Sequence, residues 1–545
     1  MIKTDGKEIY ISCGESCYCI TVDDRAHKAY FGKRIEPEDK LRELFDWQEP
    51  EFFIADGDGN DISDFTFSSA ETTEKSKCSF PTLRGDKTVK LSLEDKKLNV
   101  SAELYYTPYT RGGIARRCVV TNTGDKKFSV RVPIAALNLS GEYRVTECVK
   151  SGVNYIELDG ASDAYGVLAL YGGKCDIAYS CDGGVTKVTV AVDKTFTLLP
   201  GEKIESPEIL IVRSEYGADG VMRAVHDILR AEAIPERFAV NRRRVIVSSD
   251  SAEEGFVDLT AELGADALLI PVSSITSKLT ALSERCKKHG VFLGARVDIS
   301  DIDLSSGDGA DEASVRIHKA IDSLGAAFIS LNVGNRRGYG SMLGMYSLID
   351  KITKDYPEII IDGTGDVALL CYTPIFGTVD VESAFIKSGA VYRAVPPSAI
   401  ACKVSGESSL KTEFDLCSFG ALRYAPSVDK SQGARLAVRA QVFSYQDDSP
   451  LAVGGDFYRP AVFGGDFALS IVSKDKSKAY AVYRKGSGSR LRFTGLDNHN
   501  LYHVREMDAV FSGAALMGVG VPIPPSLKQG DTLSFHLRQV ADYES

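Results

Sequence analysis

No uncharged apolar run in this 545-residue sequence approaches the ~18 residues that a membrane-spanning helix needs, and mean hydropathy is −0.09. Strong basic runs are lacking too. The 64 Lys and Arg against 75 Asp and Glu leave a net charge of −11, which argues against nucleic acid or an anionic membrane surface as partner. The amino terminus, Met1-Ile-Lys-Thr-Asp-Gly, shows no continuous apolar segment and no small-residue cleavage site, so a cytoplasmic protein is expected. P-loop, strand-linked G-x-G-x-x-G, G-x-S-x-G and H-E-x-x-H patterns are absent, so nucleotide, serine-hydrolase and zinc-protease readings lack support. Cys13, Cys17 and Cys19 have no companion Cys-x-x-Cys or His pair. His499 and His503 are four apart but sit in a strand-rich segment. The Asp56-Gly-Asp-Gly-Asn stretch departs from a calcium loop at Asp61 and Phe67. Neither metal nor cofactor is expected. Cys118, Cys148, Cys286, Cys371, Cys402 and Cys417 read as buried thiols of a reducing compartment.

What is present is material for several cores. At roughly 150 residues per domain the length predicts two to four domains, and 44% apolar residues suffice to fill them. Up to about Leu199 the apolar period is two, as in Phe128-Ser-Val-Arg-Val and Thr186-Lys-Val-Thr-Val, with turn signals such as Gly183-Gly between runs. This predicts an amino-terminal antiparallel β-sandwich over 1–219. Val221, Val225, Ile228 and Leu229 then fall at helical spacing, giving a helical linker over 220–244.

From 245 to 429 short apolar runs alternate with helical or loop segments. Eight such runs begin at Val245, Ala267, Val291, Phe328, Ile359, Pro374, Ala390 and Gly420, with amphipathic helices expected at 275–289 and 344–356. They predict a (β/α)8 barrel, shortened because the span falls well below the roughly 250 residues typical of that fold. Residues 430–545 open with a helix over 434–444 and return to period two in Ala479-Tyr-Ala-Val-Tyr and Leu533-Ser-Phe-His-Leu, a second, smaller β-sandwich.

Several segments are matched in order: Gly113-Ile-Ala-Arg-Arg-Cys-Val-Val-Thr-Asn-Thr-Gly in the first domain, the Met342–Pro357 helix and Pro396-Pro-Ser-Ala-Ile in the barrel, then Gly455-Asp-Phe-Tyr-Arg, Gly495-Leu-Asp-Asn-His-Asn and Ser512-Gly-Ala-Ala-Leu-Met-Gly in the last domain. Together they resemble the α-galactosidases of glycoside hydrolase family 36, over about residues 100 to 540. The resemblance implies a hydrolase of terminal α-galactosides with a small carbohydrate as ligand. In such retaining enzymes one carboxylate attacks the anomeric carbon and a second protonates the leaving oxygen, both from the carboxyl ends of barrel strands.

The matched motifs depart from that pattern. Ser330-Leu-Asn-Val-Gly-Asn-Arg puts Asn332 at the nucleophile position after strand four, and an amide is no anionic nucleophile. The acid/base motif after strand six offers Asp380, or Val379 if the register does not slip. The acidic residue after strand three becomes Asp298, the aromatic motif after strand two is replaced near Ile270-Pro-Val, and the glycine-rich segment shrinks to Thr364-Gly-Asp. The one tryptophan, Trp47, lies outside the barrel span, although sugar pockets usually stack a ring against a pyranose face. Asp380, Asp298 and Asp362 are therefore the catalytic candidates, with Asp366, Glu382 and Arg336 as substrate-binding candidates. Each acid could equally cap a helix, and the arginine could be simply solvated. Two classes stay open: an α-galactosidase-like enzyme, inverting with Asp380 as acid and Asp298 or Asp362 as base, or a non-catalytic relative that binds sugar or forms a homo-oligomer.

Overall fold

The computed structural model describes residues 2–4, 8–36, 49–56, 59–131, 133–150, 152–239, 243–272, 279–335, 337–387, 389–407, 409–428, 431–460, 462 and 465–540. Trp47 and Arg336 lie outside them. The amino-terminal region is all antiparallel strand, built around a nine-stranded sheet whose long central strands, Val100–Tyr109 and Gly113–Asn122, pair in unbroken register from Val100↔Asn122 to Tyr109↔Gly113. Strict alternation explains it: Val100, Ala102, Leu104 and Tyr106 are buried while Ser101, Glu103 and Tyr105 are less so. The Gly183-Gly184 turn joins Cys175–Asp182 to Val185–Val192 with both glycines at positive φ, +58° and +77°, as a two-residue hairpin of the favoured twist demands. The helix Gly217–Ile228 follows and buries Val221, Val225 and Ile228.

Eight parallel strands then form the barrel: Ile246–Ser248, Ala267–Pro271, Phe292–Asp298, Phe328–Asn332, Ile360–Asp362, Gly377–Val379, Ile400–Val404 and Ala421–Tyr424, called strands one to eight below. Strand one pairs with both two and eight. Strands five and six meet through the Asp362↔Ile375 bridge and backbone bonds from Gly363 to Ile375 and Gly365 to Phe376. The barrel is thus nearly closed. Two expected strands are misplaced. The run at Ala390 is not strand seven but a 3-10 turn, Val391–Arg393, and strand seven begins ten residues later at Ile400. Strand six likewise starts at Gly377, beyond the Pro374-Ile-Phe run.

The short span has a simple cause. Full helices follow strands one to four, at Glu254–Glu262, Leu279–His289, Gly307–Leu324 and Tyr339–Asp355. After strands five and six the described residues form only short turns: a five-residue 3-10 turn, Val367–Cys371, after five, and after six a five-residue π turn, Glu382–Ile386, followed by the 3-10 turns Val391–Arg393 and Pro397–Ala399. The helix after strand eight is longer than the sequence suggested, Gln432–Gly454, and leads into a six-stranded antiparallel sheet with its own core around Tyr483, Tyr502 and Phe535. No described helix is long and apolar enough to cross a membrane. Of the six cysteines named above, all but Cys371 are fully buried.

Glu157 of the amino-terminal sheet ties the three regions together. Its buried carboxylate takes Arg393 from the barrel at 2.7 Å and Arg459 from the carboxyl-terminal domain at 3.8 Å.

Candidate functional site

Alternation along the barrel strands decides which side chains point inward. Phe328 packs with Ile246, Ala267 and Leu269 inside the barrel, whereas Ile329 and Leu331 join the outer core. Ser330 and Asn332 therefore follow Phe328 on the interior side. The neighbouring position on strand three has to be Gly294, since a Cβ there would sit 2.1 Å from the Phe328 ring. By the same register Ala421 on strand eight brings Arg423 inward.

Arg423 meets Asp362 at the centre of the barrel. Asp362 Oδ2 accepts from the Arg423 guanidinium at 2.5 Å, from Ser330 Oγ at 3.1 Å and from Thr378 Oγ1 at 3.2 Å. Both charged residues are buried, at 3% and 4% exposure. This carboxylate is fully engaged on one oxygen and fixed by a cation. Arg423 and its hydroxyl partners went unnoticed in the sequence, although the alternation Ala421, Arg423 in strand eight carries the signal.

Nearer the carboxyl ends of the strands, the Asn332 amide donates to Asp298 Oδ2 at 3.1 Å. Asp298 Oδ1 accepts from the Ser300 backbone N–H at 2.9 Å and its hydroxyl at 2.6 Å. Those Ser300 bonds, with Asn332 and Arg316 adding to them, hold the exposed Asp298 carboxyl below the usual range. Asp380 stands just past strand six and accepts from the Ser383 N–H at 2.9 Å, beside the start of the π turn. Its partial burial pushes the pKa up, but the Ser383 bonds and the Lys387 charge outweigh that and leave it lowered. Neither acid is poised to give up a proton near neutral pH.

The other candidates go elsewhere. Glu382 pairs with Lys387 at 3.6 Å on the exposed side of that turn. Asp366, expected at the rim, is instead buried in the seam with the amino-terminal domain, because the chain turns at Gly365 (φ +81°) into the Val367–Cys371 turn. It accepts from Tyr346 Oη at 2.8 Å and the Ala368 N–H at 2.8 Å, and a Cβ at Gly172 would lie 2.3 Å from its carboxyl carbon. Burial raises its pKa to about 6 against those hydrogen bonds. Arg336 falls outside the described residues; its neighbour Arg337 donates to the Gly172 carbonyl at 3.1 Å in the same seam. Among the described residues no group of His, Cys, Asp and Glu has the arrangement of a metal site.

A near-closed parallel barrel between two antiparallel β regions, with polar side chains converging at the strand ends, defines a three-domain glycoside-hydrolase-type architecture. The chain matches the model of the glycosyl hydrolase family 36 N-terminal domain over residues 24–147 and that of the family 36 C-terminal domain over 466–545. These matches support membership of that family. Among curated relatives, alpha-galactosidase AgaA of Geobacillus stearothermophilus is 22% identical over 66% of this chain and 64% of its own length. Probable alpha-galactosidase G of Aspergillus terreus is 21% identical over 99% of both. Among solved structures, the galactosidase domain of AgaSK superposes with a TM-score of 0.87 at 17% identity, covering 99% of this chain and 100% of that one. AgaA itself gives 0.86 at 19%, covering 98% and 100%. At such identities the superpositions establish the fold. AgaA variants have been solved with raffinose and with stachyose.

Proposed function

We propose that this protein is a carbohydrate-binding member of family 36 that does not cleave α-galactosides by the retaining route. The observation that carries the proposal is the Asn332–Asp298 hydrogen bond: at the strand-four position where the family resemblance calls for a nucleophilic carboxylate there is an amide, spent on a neighbouring acid. Supporting it, Asp298 and Asp380 are both held ionised, while cleavage without a cofactor needs one protonated and one ionised acid across the bond. Asp362, the third candidate, is paired with Arg423. The ligand is a small galactose-containing carbohydrate at the barrel mouth, by analogy with the AgaA variants in complex with raffinose and stachyose.

A second reading has one observation in its favour. Asp298 is exposed, ionised and oriented by Asn332, which is how the general base of an inverting hydrolase would be held, with Asp380 as the acid.

Calorimetric titration with galactose and raffinose, run beside a nitrophenyl α-galactoside assay, separates the readings. Binding with no turnover above background supports the first. Turnover with inverted anomeric product supports the second, and turnover in the ordinary range of ~1–1000 per second with retention overturns both.

A further inference from the structure

A cavity of about 460 Å³ lies in the amino-terminal region, and every residue lining it falls between Lys28 and Arg213, apart from the barrel mouth. Its charged lining residues are Lys28, Lys33, Asp163 and Arg213. Lys28 is buried and its ammonium donates to the Asn138 carbonyl at 2.8 Å, while Lys33 reaches Glu215 at 3.2 Å on the exposed side. Asp163 is spent within the lining: Arg213 Nε donates to its Oδ2 at 3.3 Å, the Tyr165 hydroxyl lies 3.1 Å from the same oxygen, and the Tyr143 hydroxyl lies 3.3 Å from Oδ1. The terminal nitrogens of Arg213 make no hydrogen bond among the described residues and, unlike the orphan Nη1 of Arg116, they are not sealed in the core. They are the open donors of this cavity. Two half-buried tyrosine rings flank it, each laid against a glycine. A Cβ at Gly160 would sit 2.6 Å from the Tyr143 ring, and one at Gly32 would strike the Tyr30 ring.

We propose that this cavity is a second binding site, independent of the barrel mouth, for a hexuronate, a pyranose ring that bears a carboxylate. A guanidinium anchored through Nε with its terminal nitrogens open presents the planar fork that a carboxylate fits. Charge agrees with that choice: with Glu215 counted beside Asp163, the three cations Lys28, Lys33 and Arg213 still exceed the two carboxylates. An added anion balances the excess, which a neutral sugar does not. The tyrosine rings offer apolar faces to a pyranose, and Ser140 and Ser162, both exposed on the rim, offer hydroxyls to its own. The volume falls within the ~300–1,000 Å³ of ordinary ligand pockets and exceeds what a bare inorganic anion fills.

The test uses galacturonate as probe, with acetate, which has the charge without the ring, as control. Titration of the full chain at low ionic strength should show galacturonate binding at least about tenfold tighter than acetate, a difference of ~1.4 kcal/mol. Arg213→Lys keeps a cation beside Asp163 but removes the fork, and should weaken galacturonate at least about tenfold while leaving the galactose titration unchanged. Ser162→Leu narrows the cavity from an exposed rim position without touching the buried pairs, and should do the same. Crystals soaked in galacturonate should place the carboxylate on the terminal nitrogens of Arg213, and this measurement does not depend on any variant folding. Equal affinity for galacturonate and acetate, galacturonate binding indifferent to both substitutions, or soaked crystals with the sugar acid absent from the cavity would each overturn the proposal. None of these results bears on galactose binding at the mouth.

Discussion

The Asn332 side chain donates to Asp298 at 3.1 Å, joining the ends of barrel strands three and four. If Asn332 were an acid, two carboxylates would face each other at hydrogen-bonding distance and share one proton rather than both ionise. The amide removes that conflict and lets Asp298 stay charged. Asn332→Asp alone is therefore expected to leave hydrolysis of nitrophenyl α-galactoside near the wild-type level, because the introduced acid is held protonated by Asp298. The exchange Asn332→Asp with Asp298→Asn restores one ionised acid at the strand-four position and should raise the rate above both. Rate measurements on the three proteins decide it, and ordinary turnover in the single variant would show that Asp298 does not govern the site.

The Asp362–Arg423 pair is expected to be costly to break from one side. Asp362→Leu or Arg423→Met leaves an uncompensated charge in the barrel, a loss of about 3–5 kcal/mol, whereas the double substitution should recover most of it. Urea denaturation of the four proteins reads this directly. Additive losses in the double variant would mean the two side chains do not act as a pair.

Most of this architecture was legible in the sequence because burial alternates where a sheet has one wet face. The antiparallel strands Phe128–Arg131 and Val185–Val192 read at once as period two. Six of the eight barrel strands coincide closely with apolar runs. The failure at strand seven has a definite cause: Tyr392 is buried between Phe385 of the barrel and Phe457 of the carboxyl-terminal domain, and burial of that kind has no strand period. Asp366 was misplaced for a related reason, since nothing local signals that the chain leaves the rim after Gly365.

Asp366 predicts a pH dependence of stability. Its pKa is raised by burial from the ordinary 3.8 to about 6 in the folded protein, so the native state keeps a proton that the unfolded chain has already released. Stability from this group is therefore present below about pH 4 and is lost as pH rises through about 6. The loss is on the order of 3 kcal/mol. Asp366→Asn should remove that slope, so the melting-temperature difference between variant and wild type grows in the variant's favour from pH 4.5 to pH 7. A difference that stays constant with pH would show that Asp366 is not the group responsible.

Glu157 provides the last prediction, about how the three regions are held together. The carboxylate is 2% exposed and meets Arg393 and Arg459, which come from the barrel and the carboxyl-terminal domain, while Tyr155 Oη donates to it at 3.3 Å. Burial raises its pKa, and the two guanidiniums oppose that rise. Arg459 is further anchored by Asp219 from the helix that follows the amino-terminal region. Removing Glu157 leaves two arginines facing each other in a poorly hydrated junction, so Glu157→Ala should cost about 3–5 kcal/mol. Glu157→Gln keeps the shape and an acceptor oxygen and should cost less. Because the lost contacts cross domain boundaries, the alanine variant should also become cleavable by protease between the amino-terminal region and the barrel before either domain melts. Arg144→Ala is the matched control: Arg144 binds Asp159 at 2.6 Å with its side chain 79% exposed, a pair expected to contribute no more than about 1 kcal/mol. Equal effects of Glu157→Ala and Arg144→Ala on melting and on proteolysis would show that the Glu157 cluster is incidental to domain association.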